Sequence, residues 1–173
     1  MSDATLDELI EAWSAADAGL STAEIDRRIL GFGALVRAIA EHGRATPAAF
    51  AEATGLSPAE ASKVIGGLAA GGIQVDDAGD VVGAALTTLP TPHRFRVRQR
   101  DLFAWCALDT LFLPGLLNET AEIHSSCPET GTEVHLTVSP DRVEACRPRG
   151  AVLSVVNPHA LGRDRSTGPA SPT

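Results

Sequence analysis

The chain is short of aromatic side chains, which make up 4% of its 173 residues, so its core must be built from Leu, Val, Ile and Ala. It lacks the basic start and apolar run of a secretory signal, and no stretch approaches the length of a transmembrane helix. These absences predict a cytoplasmic protein with no membrane partner. Cysteines number only 3, an odd count without paired spacing, which argues against a disulfide framework and for a reducing compartment with at least one free thiol. Cations are outnumbered, 14 Lys and Arg against 22 Asp and Glu, for a net charge of −8 and a pI near 5.0. That balance argues against nucleic acid or an anionic membrane as a partner of the whole surface. What is present is ordinary globular usage, 44% hydrophobic and 21% charged, enough for one domain or two small ones sharing a core.

Periodicity divides the chain. Leu6, Leu9, Ile10 and Trp13 mark a first amphipathic helix ending near Gly19, and Ser21-Thr22-Ala23-Glu24 has capping-box spacing. A second helix through Leu35, Val36 and Ile39 stops at His42-Gly43. Thr46-Pro47 opens a short helix closing at Gly55, and Ser57-Pro58-Ala59-Glu60 caps another that runs to Gly71-Gly72. Ile73 to Val75, a turn over Asp76 to Asp80, and Val81-Val82 then read as a hairpin. Helices followed by a hairpin are the order of a winged helix-turn-helix. Its reading helix offers only Ala59, Glu60, Ser62 and Lys63, a poor set for base recognition, so a packing scaffold is the better reading. Arg94, Arg96, Arg98 and Arg100 alternate with other residues and, as one strand, would set four cations on one face. Such a face is either solvated or the chain's best local argument for phosphate contact.

The most informative segment runs from Arg100 to Leu111 and reads as an apolar helix holding Cys106 and Asp109 three residues apart. On a helix those positions are neighbours, with Leu102, Phe103, Trp105, Leu108 and Leu111 to exclude water. A thiol and a carboxylate so placed can take a soft metal and move a proton. A buried Cys is also a common core residue, and Asp109 could serve only as a local cap. Beyond a break at Pro114-Gly115, Thr132 to Val138 alternates as a half-buried strand, and Arg142–Cys146 and Ala151–Val156 flank a turn at Pro148-Arg149-Gly150. From Gly162 onward the sequence is polar and aperiodic, a disordered tail. His124, Cys127 and His135 hint at zinc, but their spacing fits no common finger and a closed site wants four ligands.

The run Phe103-Ala104-Trp105-Cys106-Ala107-Leu108-Asp109-Thr110-Leu111, with His124-Ser125-Ser126-Cys127-Pro128-Glu129-Thr130-Gly131 and then Leu136-Thr137-Val138-Ser139-Pro140, resembles the bacterial organomercurial (alkylmercury) lyases. The resemblance spans roughly Gly31 to Val156 and is strongest from Phe95 to Pro140. It implies protonolysis of a carbon–mercury bond to a hydrocarbon and Hg(II), with Cys106 as the mercury-binding thiolate and Asp109 as the proton relay. It further implies that Cys127 is structural and that no cofactor is needed, mercury being substrate and product. Family members carry another catalytic Cys beyond the position of Val156, where this sequence has Asn157-Pro158-His159 and a polar stretch without Cys. External small thiol is therefore expected to assist, with a mercury-accepting protein as a further partner. Cys146, which has no family counterpart to carry over, stands open as a core residue or a substitute second thiol and mercury ligand.

The expectation is an α+β protein: a helical, winged-helix domain over 1–90, a lyase-like antiparallel-sheet domain over 91–160, and a tail over 161–173. The alternatives are a non-catalytic mercury binder and a winged-helix regulator using Arg94 to Arg100 on DNA.

Overall fold

The structure, a computed structural model, describes residues 22–70 and 72–154. Expectations for the first helix, for Ser21 as a cap, for Val155 and Val156 and for the tail lie outside those residues. Residues 28–153 form one compact unit. It is a mixture of helices and one antiparallel sheet, α+β as expected.

Three helices come first: α1 (Thr22–His42), α2 (Pro47–Thr54) and α3 (Pro58–Ala70). Their ends follow local chemistry. Gly43, at φ +79, ends α1 and returns its N–H to the Ile39 carbonyl at 2.8 Å. The Thr46 hydroxyl accepts the Ala49 N–H at 3.1 Å to start α2, and left-handed Gly55 closes it. At α3 the expected capping box is realised, Ser57 N–H donating to Glu60 Oε2 at 3.0 Å while Glu60 N–H donates back to Ser57 Oγ at 3.4 Å.

The strands are β1 (Gln74–Val75), β2 (Val81–Ala84), β3 (Leu86–Thr87), β4 (His93–Val97), β5 (Arg100–Ala104), β6 (Ala121–Ser126), β7 (Glu133–Val138) and β8 (Val143–Arg147). Helix α4 (Asp109–Leu117) lies between β5 and β6. All pair antiparallel in one sheet ordered β1-β2-β3-β5-β4-β6-β7-β8. The expected boundary after residue 90 falls inside this sheet, between β3 and β4. Pairing puts Phe95, Leu102, Ile123 and Leu136 in one row on the inner face. Leu35, Val36 and Ile39 of α1 and Leu113 and Leu117 of α4 join the same core. Each such side chain, fully buried, contributes about 1.5–3 kcal/mol over an exposed one.

Four expectations change. Arg100–Ala104 is a strand, not the start of a helix, because it pairs over its whole length with β4 and at Phe103 and Ala104 with β3. The four arginines do not share one strand: Arg98 and Gln99, at φ 49 and 62, form the two-residue turn between β4 and β5. Arg98 there bonds Glu41 of α1 and, at 3.1 Å, Glu119 after α4, so it clamps the turn to the helical side. Pro114-Gly115 does not end the apolar segment but lies within α4, and left-handed Asn118 caps it. Val143–Arg147 forms the expected strand, whereas 151–154, the described part of its expected partner, is not a strand.

Candidate functional site

Cys106 sits in the turn that leads from β5 into α4, two residues past Ala104. The turn is fixed from both sides. Before it, Trp105 N–H donates to the Ala85 carbonyl at 2.8 Å, tying the strand end to the β2–β3 corner. After it, Asp109 opens α4, and its Oδ2 accepts the Cys106 N–H at 2.8 Å. Asp109 therefore hydrogen-bonds locally, back to the turn, and the same geometry brings its carboxylate to the thiol. Cys106 and Asp109 meet as the sequence led us to expect, though across a strand-to-helix turn rather than along one helix face. The water exclusion expected there is partial, since Cys106 is exposed while Trp105, Leu108 and Asp109 are half-buried.

The electrostatics follow from that placement. Partial burial pushes the Asp109 carboxyl up from its ordinary range, against the opposing pull of hydrogen bonds from Cys106 and of nearby His93. Desolvation also pushes the Cys106 thiol up. The Asp109 carboxylate adds to that rise, while the N–H groups of Asp109 and Leu108 at the head of α4 pull the other way. At rest the thiol holds its proton, and beside it sits a carboxyl with a raised affinity for one. The Trp105 indole N–H is buried and, among the described residues, has no acceptor.

Sequence reasoning missed His93. It stands at the head of β4, opposite Ala104 on one side and Ser125 on the other, with Nδ1 3.0 Å from Ser125 Oγ. Burial lowers its pKa and the charge of Asp109 raises it, so it lies within electrostatic reach of the site. A signal existed: His93 shares the period-2 inner stripe with Phe95 and Val97, and an imidazole in an apolar stripe asks for a partner.

The other thiols lie elsewhere. Cys127 is in the β6–β7 connection, at the same end of the sheet as Cys106. Its N–H bonds Thr132 O at 2.9 Å and its carbonyl accepts Gly131 N–H at 2.8 Å, the contacts of a turn-former. Hydrogen bonds from Thr130 lower its thiol pKa. Cys146 is on edge strand β8, opposite Leu136, and β8 is four strands from β5 in the sheet. At strand spacing that is about 19 Å, so the structure does not bring Cys146 to Cys106. Among the described residues no three His, Cys, Asp or Glu gather as a metal cage, and His124, Cys127 and His135 form none.

A thiol with a carboxyl partner at a strand-to-helix turn, on an α+β scaffold, has the donor type and the proton carrier that soft-metal chemistry calls for. Residues 86–167 match the family described as MerB, alkylmercury lyase. An alkylmercury lyase of Staphylococcus epidermidis is 50% identical over 94 residues, covering 54% of this chain and 44% of that protein. One of Bacillus cereus is 40% identical over 116 residues, covering 67% of this chain and 52% of that protein. A solved structure, the mercury-bound form of MerB2, superposes with a TM-score of 0.63 at 26% identity, covering 83% of this chain and 68% of that one. The match to the alkylmercury lyase family thus lies in the segment 86–167, which holds Cys106 and Asp109. The chain spans about half the length of the curated relatives it matches.

Proposed function

We propose that the chain is an organomercurial lyase that cleaves carbon–mercury bonds by protonolysis at Cys106 and Asp109. The observation that carries this reading is the 2.8 Å hydrogen bond from Cys106 N–H to Asp109 Oδ2, which fixes a carboxyl of raised pKa beside a free thiol within the segment matched to the family. An alkylmercury thiolate exchanges onto Cys106, and the thiol proton passes to Asp109 as the incoming thiolate departs. Asp109 then gives that proton to the carbon as the carbon–mercury bond breaks, releasing the hydrocarbon. Mercury keeps Cys106 as one ligand and takes back the departed thiolate as the second, leaving Asp109 a carboxylate as at the start, and a further small thiol then displaces Cys106 from mercury and returns its proton to it. In sum, the alkylmercury thiolate and one small thiol go to hydrocarbon and a mercury dithiolate, with Cys106 and Asp109 regenerated and charge conserved. No second protein thiol is placed for this role by β8, so turnover depends on external small thiol, and a mercury-accepting protein is a suitable product acceptor.

Residues 28–90 serve this site as a winged-helix scaffold, a reading supported by the helix order, by the β1–β2 hairpin and by the sheet that continues from it into β5. Free Cys106, Cys127 and Cys146 support work in a reducing, cytoplasmic setting. Among the described residues no helix is long and apolar enough to cross a membrane.

The test is incubation of the purified chain with an organomercurial and excess small thiol. Released hydrocarbon in excess of protein identifies the enzyme. Stoichiometric mercury retention without release would identify a binder and overturn the lyase reading, and salt-dependent retardation of DNA with neither would identify a regulator.

A further inference from the structure

We infer that His124 and His135, on the outer face of the sheet, form a two-imidazole site for a borderline divalent cation, separate from the Cys106 turn. The two residues are direct cross-strand partners on β6 and β7, and both are exposed. Their rings already touch edge to face, with centroids 4.3 Å apart and planes at 75°. Neither ring hydrogen-bonds a protein group among the described residues, so each keeps a nitrogen for a ligand. Imidazole suits nickel, copper and zinc, and a sheet holds the two Cβ atoms at a spacing from which both rings reach one ion by χ rotation alone. Among the described residues no third His, Cys, Asp or Glu is gathered with the pair, so water fills the remaining positions.

The local charge permits a cation. Register extends the pair into a row, Arg94 beside His124 and Arg147 beside His135. Glu122 and Glu133 sit one pleat along on the same face, diagonal to His135 and His124 respectively. Two arginines and two glutamates cancel in formal charge, and the flexible guanidinium stems of exposed arginines let their heads turn into solvent. The site draws nothing from the lyase reading, because its face of the sheet is opposite to the one that carries the core and His93.

Nickel(II) is the probe, since it favours imidazole over hydroxyl and carboxylate donors and is redox-inert toward the thiols. The full chain is titrated at neutral pH by calorimetry, with the imidazole resonances followed by NMR. One ion is expected to bind and to broaden His124 and His135 first. His124→Gln and His135→Gln should each weaken binding roughly tenfold or more, because a chelate reduced to one ligand loses most of its advantage. His42→Gln, an exposed histidine at the end of α1, should leave the affinity unchanged. If both His124→Gln and His135→Gln bind nickel as tightly as the parent, the ion sits on the thiols or elsewhere, and the proposal is wrong. It is equally overturned if the parent binds no more tightly than the double variant.

Discussion

Cys106 and Cys146 are both cysteines beside strands of one sheet, and almost everything else about them differs. Cys106 is held at a turn that two hydrogen bonds fix, with a carboxylate three residues on and the head of α4 pointing N–H groups toward it. Cys146 lies on edge strand β8, and its sulfur hydrogen-bonds the Pro148 carbonyl, at 3.4 Å. Thiols are abundant and sites are not; a thiol becomes chemistry when the fold supplies it with a proton partner and fixed geometry.

The largest effect should come from removing the soft ligand. Cys106→Ser should weaken mercury capture by roughly a hundredfold or more, read in a competition titration against a small thiol, because a hydroxyl cannot replace a thiolate for a soft ion. If the variant holds mercury like the parent, the two thiols are not as different as their settings imply.

Next comes the proton. Asp109→Asn keeps an oxygen for the Cys106 N–H but cannot carry a proton, so hydrocarbon release should fall about 10²–10⁴-fold while mercury capture persists. Its stability has a definite sign. Burial raises the folded-state pKa of Asp109 above its unfolded value, so the parent is favoured below the unfolded pKa and loses stability as pH rises through the folded one. Chemical denaturation across that window should show a slope in the parent that Asn removes. A variant less stable than the parent at neutral pH would show that the carboxylate is held by bonds stronger than its desolvation.

A smaller effect is expected at His93, which acts on the Cys106 end only through Asp109. His93→Phe preserves ring volume in the inner stripe and removes the imidazole. The acidic limb of the pH profile for release should move up, since the positive charge that holds the Asp109 carboxyl down is lost, with a rate change of about tenfold or less at neutral pH. A changed rate with an unmoved profile would reduce His93 to packing.

The smallest effect sharpens the comparison most. Cys146→Ala should alter release by less than about twofold, as additivity expects of a side chain this far from the chemistry, and rates should still rise with added small thiol. Loss of release in this variant would mean that β8 reaches the site in solution and that the edge thiol is a ligand after all.

Much of the helical part was legible because its signals are local. Thr46, the Ser57–Glu60 box, Gly43 and Gly55 act through hydrogen bonds or φ angles spanning four residues or fewer, and each does in the structure what its spacing promised. The pairing of Cys106 with Asp109 was legible for the same reason, being three residues apart, and the family wording of the segment suggested the chemistry proposed for it. The secondary structure beneath the pair was not. Leu102, Phe103, Trp105, Leu108 and Leu111 make a short apolar run that suits a buried helix or a buried strand alike. Only the partners β4 and β3 select strand as far as Ala104, and only there does the turn fall under Cys106. The arginine alternation failed likewise, since nothing local says that Arg98 and Gln99 would adopt positive φ, whereas two glutamates distant in sequence reward it. The sequence by itself determined the end of α1, both ends of α2, the start of α3, and the thiol with its carboxylate. Tertiary structure alone decided that His93 stands behind them and that Cys146 stands apart, because strand order is set by burial between residues far apart in the chain and leaves no mark within a short window.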